Sequence, residues 1–150
     1  MEEVVIIPYG SKYKNDTVLL WFAAHCDAYP YIYPKYRYQE FMHYFEEVIL
    51  KENKIYLALM EQKVTGFIAF NNPVITQLFI SLNHQKSGLG TKLLQYIQSI
   101  SSGYLELYTF QRNLNARAFY KKHQFKETEF GLSEAENNEP DVKLAWFSET

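Results

Sequence analysis

One cysteine, Cys26, stands among 150 residues, which excludes an internal disulfide and any metal site built on several thiolates. The four histidines are scattered without ligand spacing, so no metal centre is expected. Long apolar runs are missing too. The longest, Val18–Ala24, has seven residues, whereas a helix needs ~20 to cross a bilayer, and no membrane association is expected. Met1-Glu2-Glu3 lacks the basic opening of a secretory signal, which predicts a cytoplasmic protein. There is no excess of positive charge, and a net charge of −2 argues against a dedicated nucleic-acid binder. Repeats, low-complexity tracts and interdomain linkers are absent, so the chain reads as one domain over 1–150.

What is present suits a packed α/β core, since 47% of the residues are hydrophobic. Val4–Ile7 reads as a first strand, stopped by Pro8 and Gly10. Asn15 or Asp16 can cap a helix running to about Asp27, with Leu19, Leu20, Phe22 and Ala23 on its apolar side. Two prolines, Pro30 and Pro34, keep the next segment irregular. A second helix is predicted over about Tyr36–Lys51, where Phe41, Tyr44, Phe45 and Val48 recur at helical spacing. Strands follow near Lys54–Glu61, Lys63–Phe70 and Val74–Ile80, then a helix over about Gly88–Ser101. Tyr104–Phe110 is another strand, the segment after Asn113 another helix, and two last strands near Phe125–Phe130 and Val142–Phe147 flank an acidic loop.

Two clusters carry chemistry. Gln85-Lys86-Ser87-Gly88-Leu89-Gly90 lies between a strand and a helix. Its glycines permit a tight turn and close approach of a ligand, and the first helical turn offers N–H donors at the positive end of the dipole, as a pyrophosphate cradle requires. A loop that merely caps a helix has the same pattern. The second cluster is Asn113-Leu114-Asn115-Ala116-Arg117-Ala118-Phe119-Tyr120 with Phe125 behind it. Asn113, Ala116 and Tyr120 share a helical face that can hold a ligand; the other reading makes Asn113 or Asn115 a cap and Phe119 and Tyr120 core residues.

Gln-x-x-Gly-x-Gly followed by Asn-x-x-Ala-x-x-Phe-Tyr-x-x-x-x-Phe resembles the two signature blocks of the GCN5-related N-acetyltransferase (GNAT) family, over roughly residues 73–131. The resemblance implies a single-domain mixed β-sheet flanked by helices, and transfer of an acetyl group from acetyl-CoA to an amine. It assigns Gln85, Lys86, Ser87, Gly88, Leu89 and Gly90 to the pyrophosphate, Leu78 and Ile80 to the pantetheine, Asn113 to a cofactor contact and Tyr120 to protonation of the departing thiolate. One departure stands out: the family usually has Gly before the final Phe, and here Gln124 takes that place.

A phenol of pKa ~10 is protonated at neutral pH and can serve a thiolate as general acid. The base is less evident, because Val74–Ile80 contains no acid. Glu106 on the following strand is the leading candidate, with His25, Asp27, Glu40 or a water chain as alternatives. Cys26, as an acyl nucleophile, lacks a positioned base. Seven basic residues and one acid lie between Lys86 and Lys126, against six acids and no base from Glu127 to Asp141. The first stretch suits anionic CoA, and the second suits a cationic acceptor. Tyr29, Tyr31, Tyr33, Tyr36, Tyr38 and Tyr44 form an aromatic cluster that reads as a wall beside that cation, as the surface of a homodimer or as a core edge. The acceptor is expected to be a small-molecule amine or an exposed amino group of a peptide. An acyl-CoA-sensing module without turnover is the alternative.

Overall fold

The computed structural model describes residues 3–31, 37–136 and 138–149. Seven strands form one mixed sheet in the order β1-β2-β3-β4-β5-β7-β6: β1 (Val4–Pro8), β2 (Lys54–Met60), β3 (Lys63–Asn71), β4 (Val74–Ile80), β5 (Tyr104–Phe110), β6 (Lys126–Ser133) and β7 (Glu139–Phe147). Neighbours are antiparallel except β4 and β5, which run parallel. The helices are α1 (Lys14–Ala28), α2 (Tyr38–Tyr44), α3 (Leu50–Glu52), α4 (Leu89–Ile100) and α5 (Leu114–Lys122). Among the described residues, no helix is long and apolar enough to cross a membrane.

Strand alternation sorts the core into two layers. Ile55, Leu57 and Leu59 of β2, with Phe67 and Ala69 of β3, meet Val18, Trp21, Phe41, Phe45 and Ile49 from α1, α2 and the turn after it. Ala58 and Ile68, pointing the other way, meet Leu89, Leu93, Leu94 and Ile97 of α4 together with Tyr120 and Phe125. β3 is buried on both faces from Thr65 to Phe70, so Phe67–Phe70 is a continuous apolar run rather than an alternation.

The second predicted helix is real but not regular. α2 passes through a π-helical turn, Phe45–Ile49, before α3. The wider turn cancels the drift of an i, i+4 series around an α-helix, so that Phe41, Phe45 and Ile49 all reach the sheet-side core. The acidic loop is shorter than expected. β6 and β7 continue through most of it, and their cross-strand pairs include Glu129 with Lys143.

Gln124 accounts for the departure from the family pattern. It sits at φ 72°, in the left-handed region, just after α5. Its N–H donates to the Lys121 carbonyl at 3.1 Å, and that of Phe125 donates to Tyr120 at 3.0 Å, which closes the helix. A non-glycine residue pays strain here, so Gln124→Gly should stabilise the fold by about 0.5–1 kcal/mol after the added freedom of the unfolded chain is deducted. Thermal melting of the two proteins checks this. A variant that melts at or below the parent temperature would show that the Gln124 side chain compensates the strain.

Candidate functional site

β4 and β5 share one register pair, Val74 with Glu106. Beyond it the strands are not bridged, and Thr76–Ile80 and Leu107–Phe110 line opposite sides of a cleft of about 930 Å³. The cleft is completed by the end of α1, by the loop before α4 and by one face of α5.

At the loop, Lys86 has φ 62° and Gly88 φ 87°. Gly88 occupies the N-cap of α4 without a side-chain cap, and no acidic residue lies in the first turn. The first intrahelical bond there is Lys92 N–H to the Gly88 carbonyl at 3.1 Å. The N–H groups of Leu89, Gly90 and Thr91 therefore have no partner within the helix. A Cβ built on Gly88 would meet nothing within 4 Å. Around these donors the other residues have structural tasks. Ser87 Oγ donates to the His84 carbonyl, Gln85 Nε2 reaches the Ile80 carbonyl at 3.4 Å, and the Leu89 side chain is core. A Cβ on Gly90 would lie 3.4 Å from Phe119 Cζ, so this glycine lets α5 close on α4.

Of the residues singled out in the sequence, Leu78, Ile80, Gln85, Lys86, Gly88, Gly90, Asn113 and Tyr120 all line the cleft. Ser87 and Leu89 do not, and Leu89 can contribute there only through its backbone N–H. Asn113 acts as a cap, its Oδ1 accepting from Ala116 N at 3.2 Å, while its Nδ2 donates to Tyr29 Oη at 3.2 Å. One carboxamide thus ties the end of α1 to the start of α5. Tyr120 is buried against Phe119 and Phe125 at ring separations of 5.1 and 5.4 Å. Burial raises its phenol pKa well above the usual range, and the neighbouring Tyr29 adds to the effect, so the hydroxyl holds its proton at neutral pH.

Glu106, the expected base, is not brought to the cleft. It shares a face of β5 with Tyr108 and Phe110, which do line the cleft, but it lies at the bridged pair with Val74, and its carboxylate accepts from Tyr104 Oη at 3.1 Å and pairs with Lys143 Nζ at 3.4 Å. Glu40 caps α2 by accepting from Arg37 N at 3.0 Å. Cys26 does not line the cleft, and burial pushes its thiol pKa up.

His25 and Asp27 do line it. His25 packs on Tyr29, Phe41 and Phe79 at 4.8, 5.2 and 5.8 Å, and burial lowers its pKa to about 4. The unfolded imidazole, of pKa ~6.5, takes a proton that the folded one refuses. The contribution of neutral His25 is therefore complete above about pH 6.5 and is lost as pH falls toward about 4, on the order of 3 kcal/mol in all. His25→Phe keeps a ring in the same packing, so its unfolding free energy should fall less across that window. Parallel denaturation curves at pH 7 and pH 4.5 decide; identical losses would mean that His25 protonates without cost.

Two acids of this run, Glu127 and Glu139, are engaged by the chain's own bases. Arg117 and Lys121 hold Glu127 at 2.7 and 3.2 Å. Arg112 grips Glu139 with two hydrogen bonds, of 2.8 and 2.6 Å, and its guanidinium lies 3.8 Å from the centre of the Tyr31 ring. The expected meeting of aromatic ring, acid and cation is therefore made internally. Tyr38 packs on Phe22 and Tyr44 on Trp21, at 5.6 and 6.3 Å, and Tyr33 and Tyr36 lie outside the described residues. Tyr29, read in the sequence only as part of an aromatic run, is the member that joins the cleft.

A sequence profile described as the Acetyltransferase (GNAT) family matches residues 18–125. Comparison with curated proteins finds no match. Among solved structures, the apo form of YjaB from Escherichia coli superposes with a TM-score of 0.81 at 21% identity, covering 97% of this chain and 99% of that one. An N-acetyltransferase from Staphylococcus aureus gives 0.73 at 15%, covering 97% and 98%. The PaiA N-acetyltransferase from Thermoplasma acidophilum, in complex with coenzyme A, gives 0.73 at 15%, covering 97% and 99%. These likenesses establish a shared fold, and the profile spans well over half of the sequence: the chain belongs to the GNAT acetyltransferase family.

Proposed function

We propose that the protein is an acetyl-CoA-dependent N-acetyltransferase that transfers an acetyl group to a primary amine by direct attack in a ternary complex. The observation that carries this reading is the pairing, in one cleft, of an uncapped helix start at Gly88 with a buried, protonated Tyr120. The loop fits a pyrophosphate: the N–H groups of Leu89, Gly90 and Thr91 have no helical partner, the space over Gly88 is open, and Lys86 and Lys122 line the same cleft. When bound, acetyl-CoA supplies an acyl group activated as a thioester. Leu78 and Ile80 flank its path along β4, and Asn113 fixes Tyr29 beside Tyr120. As the C–N bond forms to the amine and the C–S bond breaks, Tyr120 Oη donates its proton to the sulfur, and the proton that the new amide nitrogen sheds returns through water to the phenolate. The ammonium's own proton leaves earlier, through water, because His25 is too weak a base to take it efficiently.

A second reading, a module that senses acyl-CoA without turnover, is favoured by one observation. Among the described residues, exposed Asp27 and neutral His25 are the only carboxylate and imidazole in the cleft wall. Calorimetry with acetyl-CoA, followed by a thiol-release assay over a panel of amines, separates the two. Saturable binding with amine-dependent thiol release is the expected result. Binding without release from any amine would favour the sensor, and no binding would overturn both.

A further inference from the structure

On the α1 side of the sheet the cleft is walled by rings. His25 and Tyr29 come from the end of α1, Phe79 from β4, and Tyr108 and Phe110 from β5. Phe79 belongs to the α1-side core, whereas Leu78 and Ile80 pack with the α4 side, so the cleft passes from one face of the sheet to the other. The rings brace one another: Tyr29 meets Phe110 at 5.1 Å and Phe79 at 6.4 Å, with planes at 84° and 85°. Edge-to-face contacts of this kind leave fewer ring faces open to a cation.

The charges on this side are few. Burial keeps His25 neutral, and the Tyr29 hydroxyl is engaged with Asn113. Glu106 and Glu139 are held by Lys143 and Arg112. Lys86 and Lys122 line the cleft from the loop before α4 and from the end of α5, the elements that carry the anion site. Among the described residues, Asp27, exposed at the end of α1, is the one carboxylate in the wall.

We infer that the acceptor is an amine with a single ammonium on an aromatic or apolar body, of the arylalkylamine class. This rests on the acetyltransferase reading. One carboxylate steers one ammonium, and the rings take the apolar body out of water. A second ammonium, as in a polyamine, would lie against apolar rings with no acid of its own. A carboxylate beside the amine would face Asp27.

Three amines test this with acetyl-CoA saturating: phenethylamine, phenylalanine, which adds only a carboxylate to the same skeleton, and spermidine. Phenethylamine should exceed each of the others in kcat/KM by about tenfold or more, the scale of a lost apolar contact or an unpaired charge. Phe110→Ala should raise KM for phenethylamine about tenfold with acetyl-CoA affinity unchanged, and Asp27→Asn should narrow the gap between phenethylamine and phenylalanine. Faster turnover of spermidine or phenylalanine, or a Phe110→Ala variant with unaltered KM, overturns the inference while leaving acetyl transfer intact. If acetyl-CoA binds but no amine is acetylated, the activity itself has failed. Calorimetric titration of phenethylamine into the acetyl-CoA complex then decides the inference separately: saturable binding lost in Phe110→Ala supports it, and no binding overturns it.

Discussion

Replacing Tyr120 by phenylalanine is expected to lower turnover with a good amine by about 10²–10⁴-fold, the usual worth of a positioned general acid, while acetyl-CoA affinity changes little. The ring, which packs against Phe119 and Phe125, is retained, so the core should hold. Only the proton donor is removed. Because burial and the adjacent Tyr29 raise the phenol pKa above its ordinary range, the wild-type profile should show no alkaline loss attributable to Tyr120 below about pH 10. Single-turnover thiol release, with melting curves to verify folding, checks both statements. A variant with undiminished turnover would pass the role of acid to water, and Tyr120 would be left as a core residue.

How much of this was legible in the chain depended on whether a feature is local. The Gly88 turn, the apolar stripe of α4 and the Asn113–Tyr120 face are set by residues within a few positions of one another, and periodicity places them correctly. The gap between β4 and β5 is a relation between strands about thirty residues apart, bridged at a single register pair, and no local pattern announces it. Glu106 illustrates the same limit. Alternation along Tyr104–Phe110 puts Glu106 on the same face as Tyr108 and Phe110, which line the cleft, but does not say that the strands are still bridged at the Val74–Glu106 pair or that Lys143, across from Tyr108 in β7, takes up the carboxylate. Within the acidic run from Glu127 to Asp141, Glu127 and Glu139 looked open because Arg117 and Arg112, which hold them, precede the run in sequence and meet it only after the sheet forms. His25 reads in the sequence as an alternative base, and the rings of Phe41 and Phe79 that help to desolvate it come from other segments, so no local pattern shows that its basicity is lowered.

The acetyl-CoA site itself is tested at Gly88, where two requirements coincide. Its φ of 87° is strained for any side chain, and a Cβ there would enter space that no protein atom within 4 Å fills. Gly88→Val combines both penalties: a β-branched residue in the left-handed region should cost about 1–2 kcal/mol of stability, and the added methyl groups would occupy the open space beside the loop. Gly88→Asn separates them, because asparagine tolerates this backbone conformation at much smaller cost while still projecting a side chain over the loop. Both variants should bind acetyl-CoA at least about tenfold more weakly, equivalent to ~1.4 kcal/mol, with the asparagine form close to the parent in melting temperature. Calorimetric titration alongside thermal melting reads the two effects apart. Should the folded Gly88→Asn protein bind acetyl-CoA as tightly as the parent, the space over Gly88 is not where the pyrophosphate lies, and the anion site must be sought along the Lys86 and Lys122 side of the cleft.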